Sequence, residues 1–251
     1  MKILLSSILL SFCFLVKANN ISVVSYNVNY SFINEGVVEI LGNIDADVVC
    51  LQETNVSWEK ILTKKLKNKY PFISFKHYGT AGGLAVLSKL PIVKSNYIKN
   101  SVGWFPAWMI TVLNGRDSIQ LLNTHLKPGL TPKGRIGWNA YFKAEEIHIQ
   151  EIKNFMKFLN PVLPTIILGD FNENDNGKSI KWLSKEGFFD ALPLYDKKMK
   201  TWRWVILKGR YDHLIFNRNI TCSEAKVFKQ GKSDHFPIYG EFDVTYNLVS
   251  K

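Results

Sequence analysis

Asp47-Val48-Val49-Cys50-Leu51-Gln52-Glu53 is a nearly continuous apolar run that ends on a carboxylate. Four successive apolar residues between polar ends read as a strand buried on both faces. Glu53 follows after the single residue Gln52, and an acid held half-buried there is costly unless a cation or hydrogen bonds compensate it. Upstream, Ile21–Asn27 reads as another strand, and Glu35–Ile44 places Val37, Val38, Ile40 and Leu41 at helical spacing. Downstream, Trp58–Lys67 reads as an amphipathic helix with Trp58, Ile61, Leu62 and Leu66 on one face.

Beyond that helix the chain becomes strand-rich. Phe72–Tyr78 and Leu84–Leu87 flank a glycine turn, and Trp108–Leu113 and Ile119–Leu126 flank Asn114-Gly115, a hairpin signal. A long helix is expected over Ala140–Leu159, a short buried strand over Thr165–Leu168 and a helix over Lys178–Lys185. Tyr211–Phe216, Thr221–Phe228 and Phe236–Phe242 close the chain as strands. Helices between strands in each half, with strand runs in the middle and at the end, suggest two sheets packed face to face under outer helices. That is an α/β fold, a four-layer αββα sandwich of two mixed β-sheets.

The 251 residues are 46% hydrophobic and 13% aromatic, ample for a sizeable core. Lys2 followed by the apolar run Ile3–Val16 reads as a secretory signal, with cleavage expected after Ala18. The run has 14 residues, short of the roughly 20 a spanning helix needs. Residues 1–18 are therefore expected to be a signal peptide and 19–251 one domain, secreted or periplasmic and monomeric. Without Lys2 and Lys17 the formal charge of +11 becomes +9, which favours a polyanionic partner, nucleic acid or an anionic membrane surface. Cys50 and Cys222 both sit in apparent strands and are expected to be free thiols.

Polar residues gather where the strands stop: Asn27, Glu53, His125 and Asp170. In open sheets, ligands bind outside strand ends. If Gly169-Asp170-Phe171-Asn172 stays extended, Asp170 and Asn172 point the same way and Phe171 points into the core. Asp212 could fix the tautomer of His235 and leave Asp234 for a metal. His213, on the opposite face of its strand, reads as structural. Glu53 is a hard oxygen ligand suited to Mg²⁺ or Mn²⁺. No Cys/His set suits structural zinc. Gly79, Gly82 and Gly83 join strand to strand with no Gly-Lys-Ser/Thr after them, and no Gly-x-Ser-x-Gly elbow occurs.

In this order the motifs resemble the endonuclease/exonuclease/phosphatase superfamily, the group that includes DNase I. The pieces are Ser25-Tyr26-Asn27, Asp47–Glu53, Gly83–Ser88, Asn123-Thr124-His125-Leu126, Gly169–Asn172, Tyr211–Phe216 and Ser233–Pro237. The resemblance implies a DNase I-like αββα sandwich and Mg²⁺-dependent hydrolysis of phosphate esters, with Mn²⁺ as the alternative ion. It implies Asn27 and Glu53 at the metal with Asp234 helping to hold it, His125 at the phosphate, and Asp170 orienting or deprotonating the attacking water. It further implies Asn172 binding phosphate, Asp212 orienting His235, and His235 stabilising the transition state or acting as base. Lys127, Lys133, Arg135, Trp138 and Tyr141 suit a nucleic-acid groove, which favours a nuclease. Trp104-Phe105-Pro106-Ala107-Trp108 and Trp202-Arg203-Trp204 leave open a lipid-directed phosphodiesterase or phosphatase. An inactive binding module on the same fold is the third reading.

Overall fold

A computed structural model describes residues 20–130 and 138–244, apart from the side chains of Trp138, Asn139 and Tyr141. The expected leader 1–18, Lys133 and Arg135 lie outside the described residues. Strand β1 (Asn20–Asn27) pairs in parallel with β2 (Val48–Gln52), and α1 (Glu35–Ile44) crosses between them. Asn34 caps α1 by accepting from the Gly36 amide, and Asp45 ends it in the left-handed conformation. Helix α2 (Val56–Leu66) begins two residues before the periodicity suggested, because Asn55 accepts from the Ser57 and Trp58 amides. β3 (Phe72–Lys76) and β4 (Leu84–Ser88) extend this sheet antiparallel.

The second sheet starts with β5 (Ile92–Ile98), β6 (Ala107–Asn114) and β7 (Asp117–His125). Helix α3 (Trp138–Met156) then returns the chain to β8 (Thr165–Asp170), parallel to β7. α4 (Lys178–Lys185), β9 (Phe188–Asp190) and α5 (Leu192–Tyr195) follow. A two-stranded ribbon, β10 (Trp202–Trp204) and β11 (Leu207–Gly209), belongs to neither main sheet. β12 (Asp212–Asn217) joins the second sheet, and β13 (Ile220–Val227) and β14 (Ile238–Val244) return to the first. The orders are β13-β14-β1-β2-β4-β3 and β5-β6-β7-β8-β12-β9.

The layers follow from which faces are apolar. One cluster, including Val23, Cys50, Val86, Ile110, Leu121, Leu168, Leu214 and Phe242, lies between the two sheets. A second packs α1 and α2 on the first sheet through Val37, Leu41, Trp58 and Leu62. A third packs α3 and α4 on the other through Ile152, Phe155, Leu183 and Phe171. This is the four-layer αββα sandwich expected above. Cys50 and Cys222 are free thiols: β14 and β1 lie between their strands, roughly 14 Å of sheet at ~4.8 Å per strand. No helix of the described residues is long and apolar enough to cross a membrane.

Candidate active site

The two parallel pairs end at one edge of the sandwich. Asn27 is level with Gln52 in the first sheet, and His125 is level with Asp170 in the second. Antiparallel β12 starts there, with Asp212 opposite Asp170, and the loop entering β14 brings Asp234 and His235. Beneath this rim the sheets are joined by buried amides. Gln52 Nε2 donates to Asn123 Oδ1 at 2.7 Å, and Asn123 Nδ2 donates to the carbonyls of Leu51 and Ala85.

Asp170 is the hub. Its Oδ2 accepts from Asn27 Nδ2 at 3.1 Å, and the Nε2 atoms of His125 and His235 each stand 3.5 Å away. The same Asn27 amide donates to Glu53 Oε1 at 3.0 Å, so one amide joins the two carboxylates. His125 Nδ1 donates to the Ala81 carbonyl at 3.1 Å, which turns Nε2 towards Asp170 and, at 4.0 Å, Glu53. Phe105 stacks on the His125 ring with centroids 4.5 Å apart.

His235 is fixed by Asp212, whose two carboxylate oxygens lie 2.8 and 3.1 Å from Nδ1. Burial opposes charge on this ring, but Asp212 and Asp170 override it and push its pKa up to about 10. The two carboxylates thus favour the charged form of the His235 ring. Asp234 lies one step outward. Burial would raise its pKa, yet the His235 charge and hydrogen bonds from Asn29, Trp202 and Ser233 hold it below the usual range. It reaches Asn27 through Asn29, whose Nδ2 donates to Asp234 at 3.1 Å and whose amide donates to Asn27 Oδ1 at 3.1 Å. Sequence reasoning missed this link, and it missed Tyr26, whose hydroxyl accepts from the Lys232 and Ser233 amides and anchors the loop.

Asn172 departs from expectation. The chain does not stay extended: Asn172 sits at φ 50°, its amide donates to Asp170 Oδ1 at 2.8 Å, and its Nδ2 donates to the Leu126 carbonyl at 2.9 Å. Phe171 does point into the core. The left-handed turn arises because an Asp side chain can bond the amide two residues on. Glu53 also occupies the left-handed region, φ 60°, which a Glu seldom adopts.

The donors fit a hard divalent ion. Glu53, Asp170 and Asn27 offer only oxygen and amide groups, and Glu53 alone among them keeps solvent access, with 17% of its side chain exposed. Among the described residues, Asp170, Asp212 and His235 also converge within 4.8 Å, but there His235 itself supplies the positive charge. Asp175, Asp190 and His213 form a second such group. It too is internally neutralised, because Arg210 pairs with Asp175 and His213 bridges Asp190 and the Glu173 carbonyl. His213 is thus structural, as the strand alternation implied.

His148, which carried no signal in the sequence, is buried. It donates to Glu173 Oε2 and to the Lys127 carbonyl, while Glu173 also accepts from Ser179. Glu151 Oε2 accepts from the Lys127 amide, and burial pushes its pKa up to about 7. This network braces the loops that follow His125 and Asp170. The Lys127 ammonium lies 4.7 Å over the Trp104 ring. Trp108 is core and Phe105 stacks on His125, so residues 104–108 are packing rather than a free apolar patch.

The family model described as Endonuclease/Exonuclease/phosphatase family matches residues 24–235. Comparison with curated proteins gives no match. Among solved structures, a humanized D. rerio TDP2 is similar with TM-score 0.72 at 18% identity, covering 90% of this chain and 99% of that one. D. rerio TDP2 complexed with a single-strand DNA product is similar with TM-score 0.68 at 19% identity, covering 89% and 98%. An endonuclease/exonuclease/phosphatase from Beutenbergia cavernae gives TM-score 0.69 at 15% identity, covering 90% and 72%.

Proposed function

Because the chain belongs to the endonuclease/exonuclease/phosphatase family, we propose that it is an exported, divalent-metal-dependent hydrolase of phosphodiesters whose substrate is a nucleic acid. The observation that carries the reading is Asp170 Oδ2 encircled by Asn27, His125 and His235. Glu53 and Asn27 would hold Mg²⁺ or Mn²⁺, with Asp234 assisting through Asn29. The ion would offset phosphate charge and stabilise the leaving oxygen.

The remaining chemistry belongs to the side chains. Asp170 takes the proton of the attacking water, and its contacts hold the accepting oxygen at the rim. His235, kept charged and oriented by Asp212, opposes the negative charge that builds on the phosphoryl oxygens. His125 presents Nε2 on the same side to the ester oxygen. Asn172 has one amide N–H beyond its bond to Leu126 for a phosphate oxygen.

The formal charge, +11 for the whole sequence and +9 without Lys2 and Lys17, supports a polyanionic substrate. A similar protein, D. rerio TDP2, has been solved with a single-strand DNA product, in line with that choice. The N-terminal apolar run supports export. The test is a panel of plasmid DNA, RNA, sphingomyelin, inositol phosphates and an aryl phosphodiester, with Mg²⁺ and with chelator. Nucleic-acid cleavage that stops in chelator and falls at least about a hundredfold in His235→Ala is expected. Turnover of sphingomyelin or inositol phosphates alone would replace the nuclease reading, and no turnover on any ester would leave a binding module.

A further inference from the structure

We propose that the β10–β11 ribbon is an interfacial anchor that seats the active-site rim on an anionic lipid surface. Trp204, Val205, Ile206 and Leu207 at its tip are 53, 84, 86 and 52% exposed. Leaving four successive apolar side chains in water is unfavourable, and an open hairpin carrying them invites edge pairing. The tip is also strained. Val205 sits at φ 52°, a conformation in which a β-branched residue is an outlier and where Gly or Asn would fit without cost. The chain thus keeps large aliphatic groups at the tip against both solvation and local backbone preference.

The surroundings indicate what covers it. Lys197, Lys198, Lys200, Arg203 and Lys208 are exposed about its base, and Asp196 is the one acid between 196 and 208. An apolar tip above a basic collar complements anionic headgroups over hydrocarbon. Three-residue strands reach roughly 10 Å at ~3.3 Å per residue, which matches the ~5–10 Å to which interfacial segments bury. A second exposed apolar segment, Tyr30, Phe32 and Ile33, springs from the same place. Asn29 and Trp202 donate to the two oxygens of one carboxylate, Asp234. A nucleic acid would engage the collar and could stack on Trp204, but it would leave the three aliphatic groups, Val205, Ile206 and Leu207, without partners.

Anchoring would act directly on the site. Trp202 bridges His235, and the Arg203 amide donates to the Asp234 carbonyl. The proposal goes beyond the assignment of a substrate and does not depend on which ester is cut.

The test is co-sedimentation of the whole chain with phosphatidylcholine vesicles, with and without phosphatidylglycerol, beside turnover of a soluble aryl phosphodiester. The paired variant Val205→Asn, Ile206→Ser relieves the strained turn and removes the aliphatic tip. Binding to the anionic vesicles is expected, weakened roughly tenfold or more in the variant, with aryl ester turnover equal in both proteins. Absence of vesicle binding by the wild type, or equal binding by the variant, would overturn the proposal. So would a variant whose only loss is affinity for single-stranded oligonucleotide. If neither protein cleaves the aryl ester while the vesicle result holds, it is the hydrolase reading that fails.

Discussion

Gly169 stands at φ 141°, and a Cβ there would fall 1.9 Å from the Thr124 carbonyl oxygen. Only glycine lets β7 and β8 approach beside Asp170, so Gly169→Ala should cost more than about 3 kcal/mol. Thermal unfolding should register this as a drop of roughly 10 °C for a chain of this size. At Glu53 the left-handed backbone sets stability against function. Asn tolerates that conformation better, so Glu53→Asn should hold or raise the melting temperature while turnover falls at least about a hundredfold. A variant that lost both together would mean Glu53 acts through the fold.

Elements behind the site carry their own electrostatics. Helix α3 presents Glu151 and His148 to the loop after His125. Glu151 is raised from an ordinary 4.5 to about 7, so the fold keeps it protonated where the unfolded chain has lost the proton. Its stabilising contribution is full below pH 4.5 and is lost as pH rises to 7, about 3 kcal/mol in all at ~1.4 per unit. The His148 pKa, which burial lowers and Glu173 raises further, lies above 6.5 and adds a loss in the same sense. Glu151→Gln should flatten the difference in melting temperature across that window, and an unchanged pH profile would place the titration elsewhere. On α2, removing the cap with Asn55→Ala should cost about 1 kcal/mol by chemical denaturation.

Taken as a whole, the molecule carries an excess of positive charge that should act on polyanions and not on small esters. With about four phosphates engaged, oligonucleotide affinity should fall roughly 50-fold between ~50 and ~200 mM salt, while aryl ester turnover stays nearly level. Equal salt dependence for both substrates would remove charge from the account of recognition. The sandwich itself was legible because each layer repeats a local pattern: helical spacing in Val37, Val38 and Leu41, unbroken apolar runs in β2 and β8. Shorter or edge pieces were not. β5 is an edge strand with Lys94, Ser95 and Asn96 on it, and β9, β10 and β11 span three residues each, too few to show a period. The polar residues at strand ends were likewise visible one by one. Sequence periodicity reports whether a residue is buried by its own element, and that is a short-range property. Which distant groups then face one another, Asn27 with Asp170 or Asn29 with Asp234, depends on strand register and on how two sheets stack. The left-handed turn at Asn172 and the exposed tip at Val205 and Ile206 were decided there too, because only the packed neighbours fix what a side chain can bond and what it must leave in solvent.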